Sequence, residues 1–75
     1  MIEYKTKDLI VATYLNYKEV KFVREYEKDS KCWVFDNSDG ICASLELELR
    51  NGDALVLASK WELARRTVLA MTSRG

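Results

Sequence analysis

The sequence predicts a small single α+β domain, and three observations carry that reading. Residues 19–36, EVKFVREYEKDSKCWVFD, form two short runs rich in Val, Phe, Tyr and Trp around the polar turn EKDS. A hairpin of this kind is marginal alone in water, so other elements must cover it. Apolar residues recur at helical spacing in residues 6–17 and again in 60–73. With 75 residues there is room for one domain. A chain of that size buries only roughly 60–65% of the surface it exposes when unfolded. The expected architecture is a two-stranded antiparallel hairpin, three-stranded if another segment joins it, covered by helices in the order α-β-β-α-α.

The first helix is expected over residues 6–17. Thr6 is a good N-cap, and Asp8 falls in the first turn, where the helix dipole favours a carboxylate. Leu9, Ala12 and Thr13 lie along one side, with Ile10, Tyr14 and Tyr17 beside them and Val11 and Leu15 further round. So broad an apolar surface predicts a helix packed on more than one side. A strand is the alternative, but the pattern does not have period two.

Strands are expected over about 20–27 and 31–36. A turn centred on Lys28 and Asp29 sets Phe22 opposite Phe35, Val23 opposite Val34 and Arg24 opposite Trp33. Val20, Phe22, Trp33 and Phe35 then share one face, and Val23, Cys32 and Val34 share the other. Both faces are apolar, so both should be covered, one of them by a second protomer. Arg24 over Trp33 is either a cation–π pair or a stem lying on the indole edge.

Residues 38–58 admit two readings. In one, Ser38 caps a helix over 39–50 that Asn51 and Gly52 terminate. In the other, the alternating SLELELR turns at Asn51-Gly52 and returns as DALVLA, pairing Leu47 with Val56 and Leu49 with Ala54. The last helix is expected over 60–73, opened by the capping box Ser59-Lys60-Trp61-Glu62. The expected core contains Leu9, Ala12, Phe22, Val34, Phe35, Leu45, Trp61 and Val68.

The Thr-Lys-Asp-Leu helix start at 6–9, the aromatic Trp33-Val34-Phe35, the Asn-Gly at 51–52 and the capped last helix come in a recognisable order. That order resembles a small domain family of unknown function, found in bacteria, archaea and tailed phages, over nearly the whole chain. The resemblance implies a helix over 39–50 and a short extended piece at 54–57, and that reading is adopted. It implies no catalytic residue. The chain departs from the family pattern where Lys18-Glu19 replaces a glycine, Leu49-Arg50 replaces aromatics and Ser59 replaces an aspartate.

Composition narrows the function. Twelve basic residues balance twelve acidic ones, and there is no histidine and no proline. Without histidine, Cys32 and Cys42 alone cannot make a closed four-ligand zinc site within one chain. They are expected as buried, reduced thiols, a disulfide being the alternative. No run approaches the roughly 18–20 apolar residues of a membrane span, and the opening MIEYKTKD lacks a signal peptide's apolar run. A soluble protein in the cytoplasm of a prokaryotic host is expected, with no membrane role. The usual nucleophile–base pairs and a glycine-rich phosphate loop are absent from the sequence. Glu46 and Glu48 are read as ordinary surface charge, and a domain this small rarely encloses a pocket of about 300 Å³ or more. A non-enzymatic protein without cofactors is therefore expected.

Two binding functions remain. One is occupation of a protein or nucleoprotein partner, for example as a phage or mobile-element inhibitor of a host complex. Its support is that Tyr4, Tyr14, Tyr17, Tyr26, Trp33 and Trp61 cannot easily all be buried, and Tyr and Trp favour binding hot spots. The other is nucleic-acid binding. Lys60, Arg65, Arg66 and Arg74 make the C-terminal segment basic, while Lys21, Arg24 and Lys31 interleave with Phe22, Tyr26 and Trp33. Zero net charge weighs against it. The candidate binding residues are Arg24, Tyr26, Trp33, Arg65 and Arg66.

Overall fold

The structure, a computed structural model, describes residues 2–72, with Glu25 described in its backbone only. Its elements are β1 (Glu3–Thr6), α1 (Leu9–Tyr17), β2 (Phe22–Glu27), β3 (Cys32–Asp36), α2 (Ile41–Arg50) and α3 (Ala58–Thr72). Helices pack on an antiparallel sheet of three strands in the order β1-β3-β2, so the α+β class holds. The order is β-α-β-β-α-α rather than α-β-β-α-α.

β1 is the element the sequence reading missed. It pairs with β3 from Glu3 opposite Asp36 to Thr6 opposite Trp33. Its side chains alternate, with Tyr4 and Thr6 on the face of Phe35 and Trp33, and Glu3 and Lys5 on the face of Asp36 and Val34. Because Thr6 belongs to this strand, it cannot cap the first helix. Asp8 does so instead, its carboxylate accepting from the amides of Ile10 (2.8 Å) and Val11 (3.4 Å). α1 therefore starts at Leu9, not at residue 6.

α1 lies against both α2 and α3, and five consecutive residues, Val11 to Leu15, are buried. It ends in a Schellman arrangement. The Val20 amide donates to the Leu15 carbonyl (3.0 Å) and the Glu19 amide to the Asn16 carbonyl (2.9 Å). That geometry needs a left-handed residue at position 19, and Glu19 adopts φ +63°. A glycine would do this without the Cβ–carbonyl conflict, which costs about 1–2 kcal/mol.

The β2–β3 hairpin slips twice. Phe22 faces Phe35 as expected, but Arg24 faces Val34 and Glu27 faces Cys32. Two irregularities in β2 thus replace the expected pairing of Arg24 with Trp33. Trp33 and Phe35 turn inward to the helices, while Val34 turns to the other face; all three are buried.

α2 follows the helical reading, and the Leu47–Val56 hairpin does not form. Its N-cap is Gly40 at φ +73°, not Ser38. The first-turn amides are met by side chains just outside the helix, Ile41 by the Asp39 carboxylate (3.2 Å) and Cys42 by the Asn37 carbonyl oxygen (3.0 Å). Asn51 and Gly52 end it as expected. The Asp53 amide reaches the Glu48 carbonyl (3.0 Å) and the Gly52 amide the Leu49 carbonyl (3.2 Å), with Gly52 at φ +78°. α3 begins at Ala58, ahead of the expected cap: the Trp61 amide donates to the Leu57 carbonyl (2.9 Å), so Ser59 lies inside the helix. Ser73 and Arg74, expected in this helix and its basic face, lie outside the described residues.

The core gathers Trp33 and Phe35 from β3, Val11, Ala12, Tyr14 and Leu15 from α1, Cys42 and Leu45 from α2, and Val68 and Met71 from α3. Of the expected core, Ala12, Val34, Phe35, Leu45 and Val68 are buried, and Leu9, Phe22 and Trp61 pack half-buried at its margin. Trp33 is only 5% exposed, and its indole N–H donates to the Val68 carbonyl at 3.1 Å.

Two stability outcomes follow from this packing, both read by chemical denaturation. Trp33→Ala should cost about 3–5 kcal/mol, the range for deleting a large buried aromatic, and Trp61→Ala clearly less. Equal losses would contradict the placement of the two indoles. Glu19→Gly should stabilise by about 0.5–1 kcal/mol, relief of the left-handed strain outweighing the extra freedom of the unfolded chain. A loss of stability would show that the Glu19 side chain contributes more than its backbone costs.

Candidate functional site

The outer face of the sheet explains what became of Arg24. Lys5 and Arg24 flank Val34 from the two neighbouring strands, on the same face. The Arg24 guanidinium reaches both Glu3 oxygens (2.6 and 3.2 Å) and the Glu27 carboxylate through Nε (3.0 Å) and Nη2 (2.5 Å). Lys5 adds a bridge to Glu27 at 3.6 Å. Glu27 also accepts from the Ser30 hydroxyl at 2.5 Å. That bond first, then Arg24, pulls the Glu27 carboxyl down to about 2. The lattice of charges spreads over Val34 and Cys32, so this face is covered by the chain's own side chains. Each exposed pair is individually weak, but a connected, bidentate set holds geometry.

A second set of polar groups ties α2 to the rest. The Tyr4 hydroxyl donates to Glu46 and the Tyr14 hydroxyl to Glu48. Glu46 also pairs with Arg50 at 2.9 Å. The carboxylates expected to be free surface charge are thus anchors between α2 and the β1 and α1 tyrosines. Burial, and then the carboxylate bond, pushes both phenols up to about 12. The Tyr4 bond, helped by Arg50, lowers the Glu46 carboxyl.

The five expected binding residues do not form one site. Arg24 is held in the outer lattice. Tyr26 and Trp33 pack edge to face on the inner side, ring centres 5.0 Å apart at 60°. Trp33 is buried, so its ring face is not offered to a base. Lys18, not Arg24, makes the cation–π contact described, 5.7 Å from the Tyr14 ring. Arg65 and Arg66 do stand together on the exposed side of α3, each sharing Glu62 at 3.5 and 3.7 Å. Cys32 and Cys42 are buried free thiols; burial, then Asp39 and Asp36, pushes the Cys42 thiol up to about 11. Among the described residues no group of three or more potential metal ligands converges, and no helix is long and apolar enough to cross a membrane.

What the fold leaves outside is apolar. α3 turns Ala64, Val68 and Met71 inward. On its other side Leu63 (64% exposed) and Leu69 stand among Arg65 and Arg66. Just before α3, Leu55 is 87% exposed and Leu57 61%. The sequence carries only part of the signal for this surface: Leu63 and Leu69 fall outside the helical spacing of Trp61, Ala64, Val68 and Met71, but the burial of that stripe is set by packing. A groove of about 670 Å³ also opens between the end of α1 and the start of α2. It is a surface depression, with Lys18 and Lys21, Asp36 and Asp39, and the apolar Ile41 and Leu45 in its lining. Asp36 is already engaged by the Ser38 amide at 3.0 Å and by its hydroxyl.

Comparison with protein-family models, curated proteins and solved structures finds no match to this chain. The resemblance to a small domain family therefore rests on its local motifs alone.

The tyrosine–glutamate anchors make stability depend on alkaline pH. A phenol raised above its ordinary value of about 10 stabilises the fold fully below that value and loses the contribution as pH rises to about 12. The thermal midpoint should fall more steeply between pH 10 and 12 in the natural chain than in the Tyr4→Phe/Tyr14→Phe double variant. Parallel profiles for the two proteins would show that the anchors contribute nothing there.

Proposed function

We propose that this chain is a non-catalytic binding protein that engages a protein or nucleoprotein partner through the exposed side of α3 and the segment leading into it. The observation that carries the reading is the pair Leu63 and Leu69, exposed beside Arg65 and Arg66 on a helix whose opposite side is anchored in the core. An apolar centre interspersed with arginines, whose long stems cover apolar surface, is the composition of a protein interface. The polar groups that chemistry would use, Glu3, Glu27, Glu46 and Glu48, support the same reading, because each is spent on a bond that holds the fold.

Arg65 and Arg66 favour one further reading, phosphate binding by α3. It has lost the stacking platform that Trp33 was to provide, and both arginines already share Glu62. The two readings separate by substitution. A photoreactive residue at Leu63 should give a polypeptide adduct in host cells, one at Lys28 in the hairpin turn should not, and Leu69→Ser should abolish the adduct. Adducts at both positions, or one indifferent to Leu69→Ser, would remove α3 as the contact. Binding of DNA or RNA that is lost on Arg65→Glu/Arg66→Glu, with its salt dependence flattened, would favour the phosphate reading instead. Where the adduct is a subunit of a host complex, that complex's activity with and without the chain tests the narrower idea of an inhibitor.

A further inference from the structure

Of the seven residues between α2 and α3, the last five, 53–57, differ from the rest of the surface in their backbone. Ala54 packs against the core, while Leu55, Val56 and Leu57 are exposed. The ends are held. The Asp53 amide donates to the Glu48 carbonyl at 3.0 Å, and the Leu57 amide donates to the Tyr17 hydroxyl at 3.0 Å. Between them, the backbone N–H and C=O groups of Ala54, Leu55 and Val56 have no hydrogen-bond partner among the described residues. Free backbone donors and acceptors beside exposed Leu and Val side chains are what a strand edge offers to another strand.

The charges around the segment say which strand. Asp53 at one end has no ion-pair partner among the described residues, and neither has Lys60 at the other. Lys60 lies in the first turn of α3, where unpaired amides add positive potential. The segment is therefore negative at its start and positive at its end. An antiparallel copy of itself matches that polarity at both ends.

We propose that a second copy of this chain pairs with residues 54–56 in antiparallel sense, about a twofold axis at Leu55. With Leu55 opposite its equivalent, Asp53 stands opposite Leu57 of the second copy, beside the start of that copy's α3 and its Lys60. The twofold repeats the contact at the other end. With Leu55 facing its equivalent as a non-hydrogen-bonded pair, the pairing meets the free backbone groups of Ala54 and Val56, removes the Leu55 side chain from water and seats each Asp53 carboxylate at a helix N-terminus. Such a contact is self-complementary and closes at two copies. It deepens the reading above, on which residues 54–57 lead into the working surface, yet uses neither Leu63 nor Leu69.

Light scattering on the full chain over a concentration series tests it. The mass should rise to that of two chains as concentration increases. Leu55→Asp sets like charges face to face at the axis and should raise the dissociation constant at least about 100-fold, a loss of about 2.7 kcal/mol, with an unchanged circular dichroism spectrum. Asp53→Lys and Lys60→Asp should each raise it about tenfold, and the two together should restore it. A single-chain mass at every concentration overturns the inference, as does a dimer indifferent to Leu55→Asp or a charge exchange that fails to rescue. None of these readouts involves the crosslink at Leu63, so either proposal can fail while the other stands.

Discussion

Cys32, Trp33, Val34 and Phe35 are all buried, so the central strand β3 has no side it can leave to water. Much of the structure is arranged around that constraint. A strand buried on both faces must be paired on both edges, and β1 and β2 do this. Its two faces are then covered by different means. The inner face receives α1, α2 and α3, whose apolar side chains close over Trp33 and Phe35. Among the described residues the outer face receives no helix. Over Val34 and Cys32 lie the long stems of Lys5 and Arg24, pinned by Glu3 and Glu27.

This division decides what remains for function. A small domain that spends its arginine–glutamate lattice on one sheet face and its tyrosine–glutamate pairs on α2 has few polar groups left over. Trp33, the most obvious aromatic in the sequence, is committed to the core and bonded through its indole to α3. Among the exposed apolar residues, Leu63 and Leu69 on α3 and Leu55 and Leu57 just before it lie close together in sequence. That surplus is what supports the proposed reading of a protein that works by surface contact, and the proposed self-pairing would use the free backbone groups before α3.

Much of the fold could be read from the residues, and the failures have physical reasons. The hairpin and the last helix were legible because apolar periodicity and the aromatic run are local signals, whereas α2 was adopted on the resemblance, Asn51-Gly52 fitting either reading. β1 was not, because EYKT carries only four residues and two charges; its stability lies in the β3 residues it meets, a non-local fact. SLELELR alternates like a strand, yet its leucines at 45 and 49 are also one helical turn apart, and Glu46 meets Arg50 at the same spacing. The helix leaves Leu47 59% exposed, which is the cost of satisfying only one of the two periods. The register of Arg24 was lost because irregularities in β2 leave no mark in the alternation itself. Of the expected binding residues, Arg65 and Arg66 stand together on α3 as their adjacency implies, while the exposure of Leu63 and Leu69 became visible only once the buried stripe of α3 was known.

The central claim is that β3 consumes the fold's packing and pairing capacity and leaves the Ala54 and Val56 amides free for the proposed second copy. Amide hydrogen exchange, followed residue by residue at low and high protein concentration, tests this most directly. The account predicts that Trp33, Val34 and Phe35 exchange only through global unfolding at any concentration. It predicts that Ala54 and Val56 exchange near the rate of an unstructured chain when dilute and slow markedly when concentrated. Strong protection of Ala54 and Val56 in the dilute chain would contradict it, because those amides would then be paired within the fold.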